Sequence, residues 1–129
     1  MNVVKASSIL GTGAAITVVT GWTPDYVKLF NFSDAAALFA TLEWFNGMPA
    51  ASALKTLKSI DSGVTGNASS TLITVGGITL WAGSSTLGKG FIIGTDVNLN
   101  VAGQTFSFLA LRGTDGAFAK QSVAGVYVA

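Results

Sequence analysis

Asp25, Asp34, Glu43, Asp61, Asp96 and Asp115 are the carboxylates this chain could use for acid–base work. No two form a close pair in the sequence, so a hydrolytic acid and base would have to be assembled by the fold. Glu43 stands apart because it sits between Leu42 and Trp44 in an apolar stretch. Buried there, it needs a cation or a hydrogen-bond donor. At an interface it could pair with a lysine of a neighbouring subunit; that setting, or a plain solvent face, is expected ahead of catalysis. Histidine is absent, which removes the commonest general base near neutral pH and the commonest neutral metal ligand. Cysteine is absent too, excluding disulfides and thiolate zinc sites while leaving the redox compartment open.

Three spacings imitate ligand-binding loops. Asp96, Asn98 and Asn100 open like a calcium loop, but Val101 and Ser107 stand where that loop needs glycine and glutamate. Strand alternation explains the pattern better, with Val97, Leu99 and Val101 inward and the polar residues outward. Gly83 to Lys89 reads G-x-x-x-x-G-K, yet Gly90 replaces the Ser or Thr that would hold Mg²⁺, and Phe91-Ile92-Ile93 promises a strand where a helix is required. Gly11-x-Gly13 lacks both a third glycine and a surrounding βαβ pattern. No catalytic residue, metal or cofactor is expected. Of the aromatics that could stack on a sugar, Trp22 and Trp81 lie beside turns and are the best surface candidates. Asn31-Phe32-Ser33 and Asn67-Ala68-Ser69 match the glycosylation sequon, which matters only for secretion from a eukaryotic cell.

A length of 129 residues suits one domain. Only 10% of residues are charged, against about 25% in ordinary soluble domains. Much of the outside must therefore be uncharged, and such a surface repels neighbours weakly and is desolvated at low cost. The net charge is +1 with scattered basic residues, so nucleic-acid binding by counterion release is not expected. The longest uncharged stretch, Ser62 to Gly88, is full of Gly, Ser, Thr and Asn and does not read as a membrane span. A lone Lys5 ahead of a broken apolar stretch makes a poor signal peptide.

The elements that would position these residues are strands. Residues 1–13 read as an N-terminal arm or edge strand, and 14–129 as a single β-sandwich domain. Ala14–Thr20, Tyr26–Phe32 and Leu38–Phe45 carry β-favouring alternation, the last ending at the reversal signal Asn46-Gly47. Met48–Ile60 is the least β-like segment: Leu54 and Leu57 against Lys55 and Lys58 suggest two turns of helix, with an extended loop as the rival. Asp61–Asn67 is a loop. Thr71–Val75 and Ile78–Trp81 flank Gly76-Gly77, a tight-hairpin candidate. Gly90–Gly94, Val97–Val101, Thr105–Leu111 and Val123–Val128 complete the strands, with turns at Gly83–Gly88 and Gly113–Gly116. About eight short strands punctuated by glycine predict an all-β fold: an antiparallel β-sandwich or jelly roll with at most one short helix.

Gly21-Trp22-Thr23-Pro24-Asp25-Tyr26-Val27, then Leu42-Glu43-Trp44-Phe45-Asn46-Gly47-Met48, then Gly90-Phe91-Ile92-Ile93-Gly94-Thr95-Asp96 with Asn100 and Gly103, followed by Phe106 and Phe108, form an ordered set. Together they resemble small tailed-bacteriophage virion proteins that accompany the major capsid protein. The resemblance runs from Thr20 to Arg112 and brings no catalytic residues. It implies a capsid decoration or cement protein on the outer surface of the virion, a homo-oligomer such as a trimer, bridging subunits of the major capsid protein. Similar phrases occur in tail and fibre proteins, so a receptor- or glycan-binding module is the alternative. Interface candidates are Ile9, Leu10, Trp22, Tyr26, Glu43 and Trp81, with the arm adding to a neighbour's sheet edge.

Overall fold

The computed structural model describes residues 3–33, 38–59, 68–113, 121–123 and 126–128. Its strands are β1 (Val4–Leu10), β2 (Ile16–Val19), β3 (Tyr26–Asn31), β4 (Leu38–Phe45), β5 (Ser52–Ser59), β6 (Ala68–Trp81), β7 (Gly90–Ile93), β8 (Thr105–Leu111), β9 (Gln121–Val123) and β10 (Val126–Val128). The first eight form one antiparallel sheet in the order β1-β8-β3-β4-β5-β6-β7-β2, and β9 pairs with β10 separately. No helix occurs among the described residues, so the chain is all-β and antiparallel, as its strand spacing predicts.

Chain connectivity forces this sheet to curl. β1 and β2 are consecutive in sequence yet occupy opposite edges. In a flat sheet those edges would lie about 34 Å apart at ~4.8 Å per strand gap. The link from Leu10 to Ile16 spans at most about 21 Å when extended. The sheet therefore folds over on itself in a sandwich-like arrangement. Its inner face takes alternate residues: Val27 faces Trp44 and Ala110, and Leu29 faces Leu42 and Phe108. All of these are buried with Ile78, Phe91 and Ile93. Phe91 of β7 meets Phe108 of β8 edge-on, centroids 5.7 Å apart at 71°. Those strands are not sheet neighbours, so this contact crosses the core.

Several elements differ from the sequence reading. Where Met48–Ile60 suggested a helix, β5 runs from Ser52 to Ser59. Its burial alternates, with Ala53 sealed and Leu54 open, and the ladders offered by β4 and β6 outweigh a helix too short to stand alone. Gly76-Gly77 is not a hairpin but the middle of the continuous strand β6. The strand changes partner there: Ile73 and earlier residues pair with β5, Ile78 pairs with both Ser52 of β5 and Ile93 of β7, and Thr79–Trp81 pair with β7. A Cβ at Gly77 would land on the Ser52 carbonyl, and Gly76 has φ +81°, so these glycines serve backbone crowding at a bulge. Val97–Val101 is a turn, not a strand: Leu99 is buried as predicted, but Val97 is 79% exposed and Asn100 is buried, against the predicted alternation. The closing segment is two short paired strands instead of one. The Asp61–Asn67 loop, Asp34, Asp115 and the turn beyond Gly113 lie outside the described residues.

Candidate functional site

The outer face of the sheet is built by cross-strand register. One row runs Val4, Leu111, Tyr26, Phe45 across β1, β8, β3 and β4. The next runs Ala6, Leu109, Lys28, Glu43, Leu54, Leu72 and reaches β6. A third runs Ser8, Ser107, Phe30, Thr41, Thr56, Ser70. Only Lys28 and Glu43 in these rows carry charge, and they stand opposite each other. Phe45, Leu54 and Leu72 remain open to solvent, as does Val4 at the edge. Phe30 contacts Phe39 and Phe32, with centroids 5.1 and 6.4 Å apart, and Thr41 beside Phe30 is buried despite facing outward. A shallow depression of about 550 Å³ lies over β1, β8 and β3, floored by Ala6, Phe30 and Leu109.

Glu43 finds its partner on the same face. The Tyr26 hydroxyl donates to its Oε2 at 2.8 Å, and the Tyr26 ring leans on Phe45 with centroids 5.2 Å apart. Burial, together with the Glu43 hydrogen bond and charge, pushes the Tyr26 phenol up to about 12. Tyr26 is thereby held as a neutral donor.

A second polar cluster lies inside. Lys55 occupies an inward position of β5, opposite Leu42, and its Nζ donates to Asp96 Oδ2 at 2.9 Å and Asn98 Oδ1 at 2.6 Å. Asp96 Oδ1 accepts the Asn98 and Leu99 N–H groups at 2.9 and 3.1 Å. The residues that imitate a calcium loop thus fold around an ammonium group. Asn100 accepts from the Thr12 and Gly13 N–H groups and donates to the Ala14 and Gly94 carbonyls, tying the β1–β2 link to the end of β7. Asn31 donates from Nδ2 to the Asn98 carbonyl and Gln104 Oε1 and is 2% exposed, so the folded chain does not offer its sequon. The sequence reading singled out these asparagines but missed their role as hydrogen-bond hubs, because their partners lie on other elements.

The remaining candidates separate. Trp22 is buried beneath the Arg112 guanidinium, 5.8 Å from its ring centre, which closes it to a sugar. Trp81 ends β6 half-buried beside the 83–89 loop. Ile9 packs against the core, whereas Leu10 is 60% exposed. Tyr26 and Glu43 come together; Ile9, Leu10, Trp22 and Trp81 do not join them. In the 83–89 loop Ser84 N–H donates to the Leu87 carbonyl, and Ser84 Oγ accepts the Thr86 and Leu87 N–H groups. Those donors are spent within the turn, whereas a phosphate cradle presents them outward. Asp25 accepts from Gly113 N–H and the Asn46 side chain, locking two turns together. No group of three or more potential metal ligands among His, Cys, Asp and Glu occurs within the described residues. No family model, curated protein or solved structure matches the chain.

Proposed function

We propose that this chain is a structural protein of a phage virion, and that it works by contact instead of catalysis. It decorates the outer surface of the assembled capsid and bridges neighbouring subunits of the major capsid protein. The observation that carries this reading is the outer sheet face: a surface spanning β1, β8, β3, β4, β5 and β6 whose rows hold mostly aromatic, aliphatic and hydroxyl side chains, with charge confined to the opposed Lys28 and Glu43 and to Lys58 opposite Phe39. Such a face loses little on desolvation and gains from apolar contact. The ordered motif set from Thr20 to Arg112 supplies the capsid setting, and binding only the assembled shell would stabilise that shell by mass action.

For the alternative, a receptor- or glycan-binding module of a tail or fibre, Trp81 is the more open of the two tryptophans expected to stack on a sugar, because Trp22 is buried. Cosedimentation of the purified chain with undecorated, expanded capsids of its phage tests the decoration reading. Saturable binding and a higher capsid melting temperature are expected. A chain that ignores expanded capsids but binds on a glycan array would replace that reading with the alternative.

A further inference from the structure

β1 forms the end of the sheet, and among the described residues no strand pairs with it other than β8. Its backbone bonding has a definite parity. The Arg112 N–H donates to the Val3 carbonyl at 2.9 Å, and the Gly11 N–H donates to the Gln104 carbonyl at 2.7 Å. Both pairs continue the β1–β8 register. Bonding alternates residue by residue in an antiparallel ladder, so Lys5, Ser7 and Ile9 bond toward β8. Val4, Ala6, Ser8 and Leu10 aim their N–H and C=O groups away from the sheet. Natural edges are usually blunted by proline, bulges, several charges or short length. β1 has an unbroken seven-residue register, no proline and one lysine. Every residue of β1 except Ile9 is exposed, so the strand overhangs the core.

We infer that this edge takes a second copy of the chain, β1 against β1, antiparallel about a two-fold axis through Ser7. The sequence Val4-Lys5-Ala6-Ser7-Ser8-Ile9-Leu10 is self-complementary in that register. Val4 stands opposite Leu10 of the second copy and Ala6 opposite its Ser8. These are the four positions whose backbone groups point away from β8, so all of them pair and about eight backbone hydrogen bonds form, the Ser8 carbonyl exchanging its long 3.5 Å bond from Ser7 Oγ for one across the dimer. The exposed apolar ends Val4 and Leu10 cover each other on the outer face. Ser7 meets Ser7 of the second copy across a closely spaced pair, where a small side chain fits. Lys5 faces Ile9 of the second copy, leaving the two lysines about 14 Å apart along the strands, beyond a Debye length at physiological salt. The product is one sheet running through both copies, with the outer rows continued from one to the other. A two-fold contact gives a dimer in place of the trimer that the resemblance implies, and it does not depend on the decoration reading, because it concerns the chain without capsid.

Native mass spectrometry and light scattering on the full chain at rising concentration test this. A species of twice the 13.1 kDa chain mass is expected. Ser8→Pro removes an N–H that points out of the sheet and spares the β8 ladder; it should abolish the dimer at concentrations where the parent chain is dimeric. Ser7→Cys, in a chain without other cysteines, should cross-link readily under mild oxidation, and Lys5→Cys should not. This second pair of variants stands even if the proline variant fails to fold. A monomer at every concentration, a trimer, or a dimer in which Ser7→Cys cross-links no faster than Lys5→Cys would overturn the inference. None of these outcomes bears on whether the chain binds capsids.

Discussion

Lys55 Nζ lies 2.9 Å from Asp96 Oδ2, joining an inward position of β5 to the turn that follows β7, with the two side chains only 13% and 7% exposed. The ammonium closes the turn as a bound cation closes a metal loop. A lysine among inward-facing side chains is tolerable because its charge is met there, and Leu99, carried by the same turn, plugs the core.

Removing either partner should therefore be costly, but unequally so. Lys55→Met leaves a carboxylate that still accepts two backbone N–H groups, and a loss of about 1–3 kcal/mol is expected. Asp96→Ala strands the ammonium and uncaps the turn, and should cost about 3–5 kcal/mol. Urea unfolding of the single and double variants checks both. Strictly additive losses would show that the pair is not coupled.

The Tyr26–Glu43 bond predicts a stability change at alkaline pH. The ordinary phenol value is 10.0 and the folded one is raised to about 12, so folding favours the protonated form. Its contribution is complete below pH 10 and is lost as the pH rises through about 12. Glu43→Gln removes the charge, and the ultraviolet titration of Tyr26 should move down toward the ordinary value. An unmoved midpoint would assign the whole shift to burial.

Gly77 and Gly47 should respond differently to alanine. At Gly47 a Cβ meets nothing within 4 Å, but φ is +105°, so backbone strain alone costs about 1–2 kcal/mol. At Gly77 the Cβ overlaps the Ser52 carbonyl, and β5 and β6 must separate where β6 changes partner. A loss of about 3 kcal/mol or more is expected there. Thermal melting of the two variants ranks them.

Asn100 is a four-bond hub whose replacement should reveal its polarity. Asn100→Asp keeps the oxygen that accepts from Thr12 and Gly13, but turns a second oxygen toward the Ala14 and Gly94 carbonyls. Destabilisation by about 2–4 kcal/mol is expected at neutral pH. Part of it should return in acid, where a neutral carboxyl can donate. Asn100→Ala should be destabilised at both pH values.

What the sequence made legible was local. Leu38–Phe45, Gly90–Ile93 and Thr105–Leu111 alternate, or stand as apolar runs between glycines, and they fold as strands. What it hid was partnership. Lys55 looks like a solvent residue until Asp96 arrives from far along the chain. Asp96, Asn98 and Asn100 imitate strand alternation because hydrogen-bond hubs and exposed polar faces use the same residue types. Trp22 beside a proline turn looks exposed, yet Arg112 covers it. The β5 segment reads as helix because its alanines and lysines favour helix, and only the flanking strands reverse that preference.

The outer face supplies the last prediction, because its role in binding can be separated from its role in folding. Phe45 and Leu72 lie on rows of that face and are 48% and 60% exposed. Lysine should cost no more than about 0.5 kcal/mol at Leu72, and about 1 kcal/mol at Phe45, where the ring contact with Tyr26 is lost. A lysine buried against a partner surface must lose its hydration without a paired charge, which costs far more. Phe45→Lys with Leu72→Lys should therefore keep the parent fold with a modest loss of stability, and lose at least tenfold in affinity for expanded capsids. Val97→Lys is the control: Val97 is 79% exposed in the turn after β7, off the rows, and its substitution should leave binding unchanged. If the double variant binds as the parent does while Val97→Lys does not, the turn and not the sheet face meets the capsid.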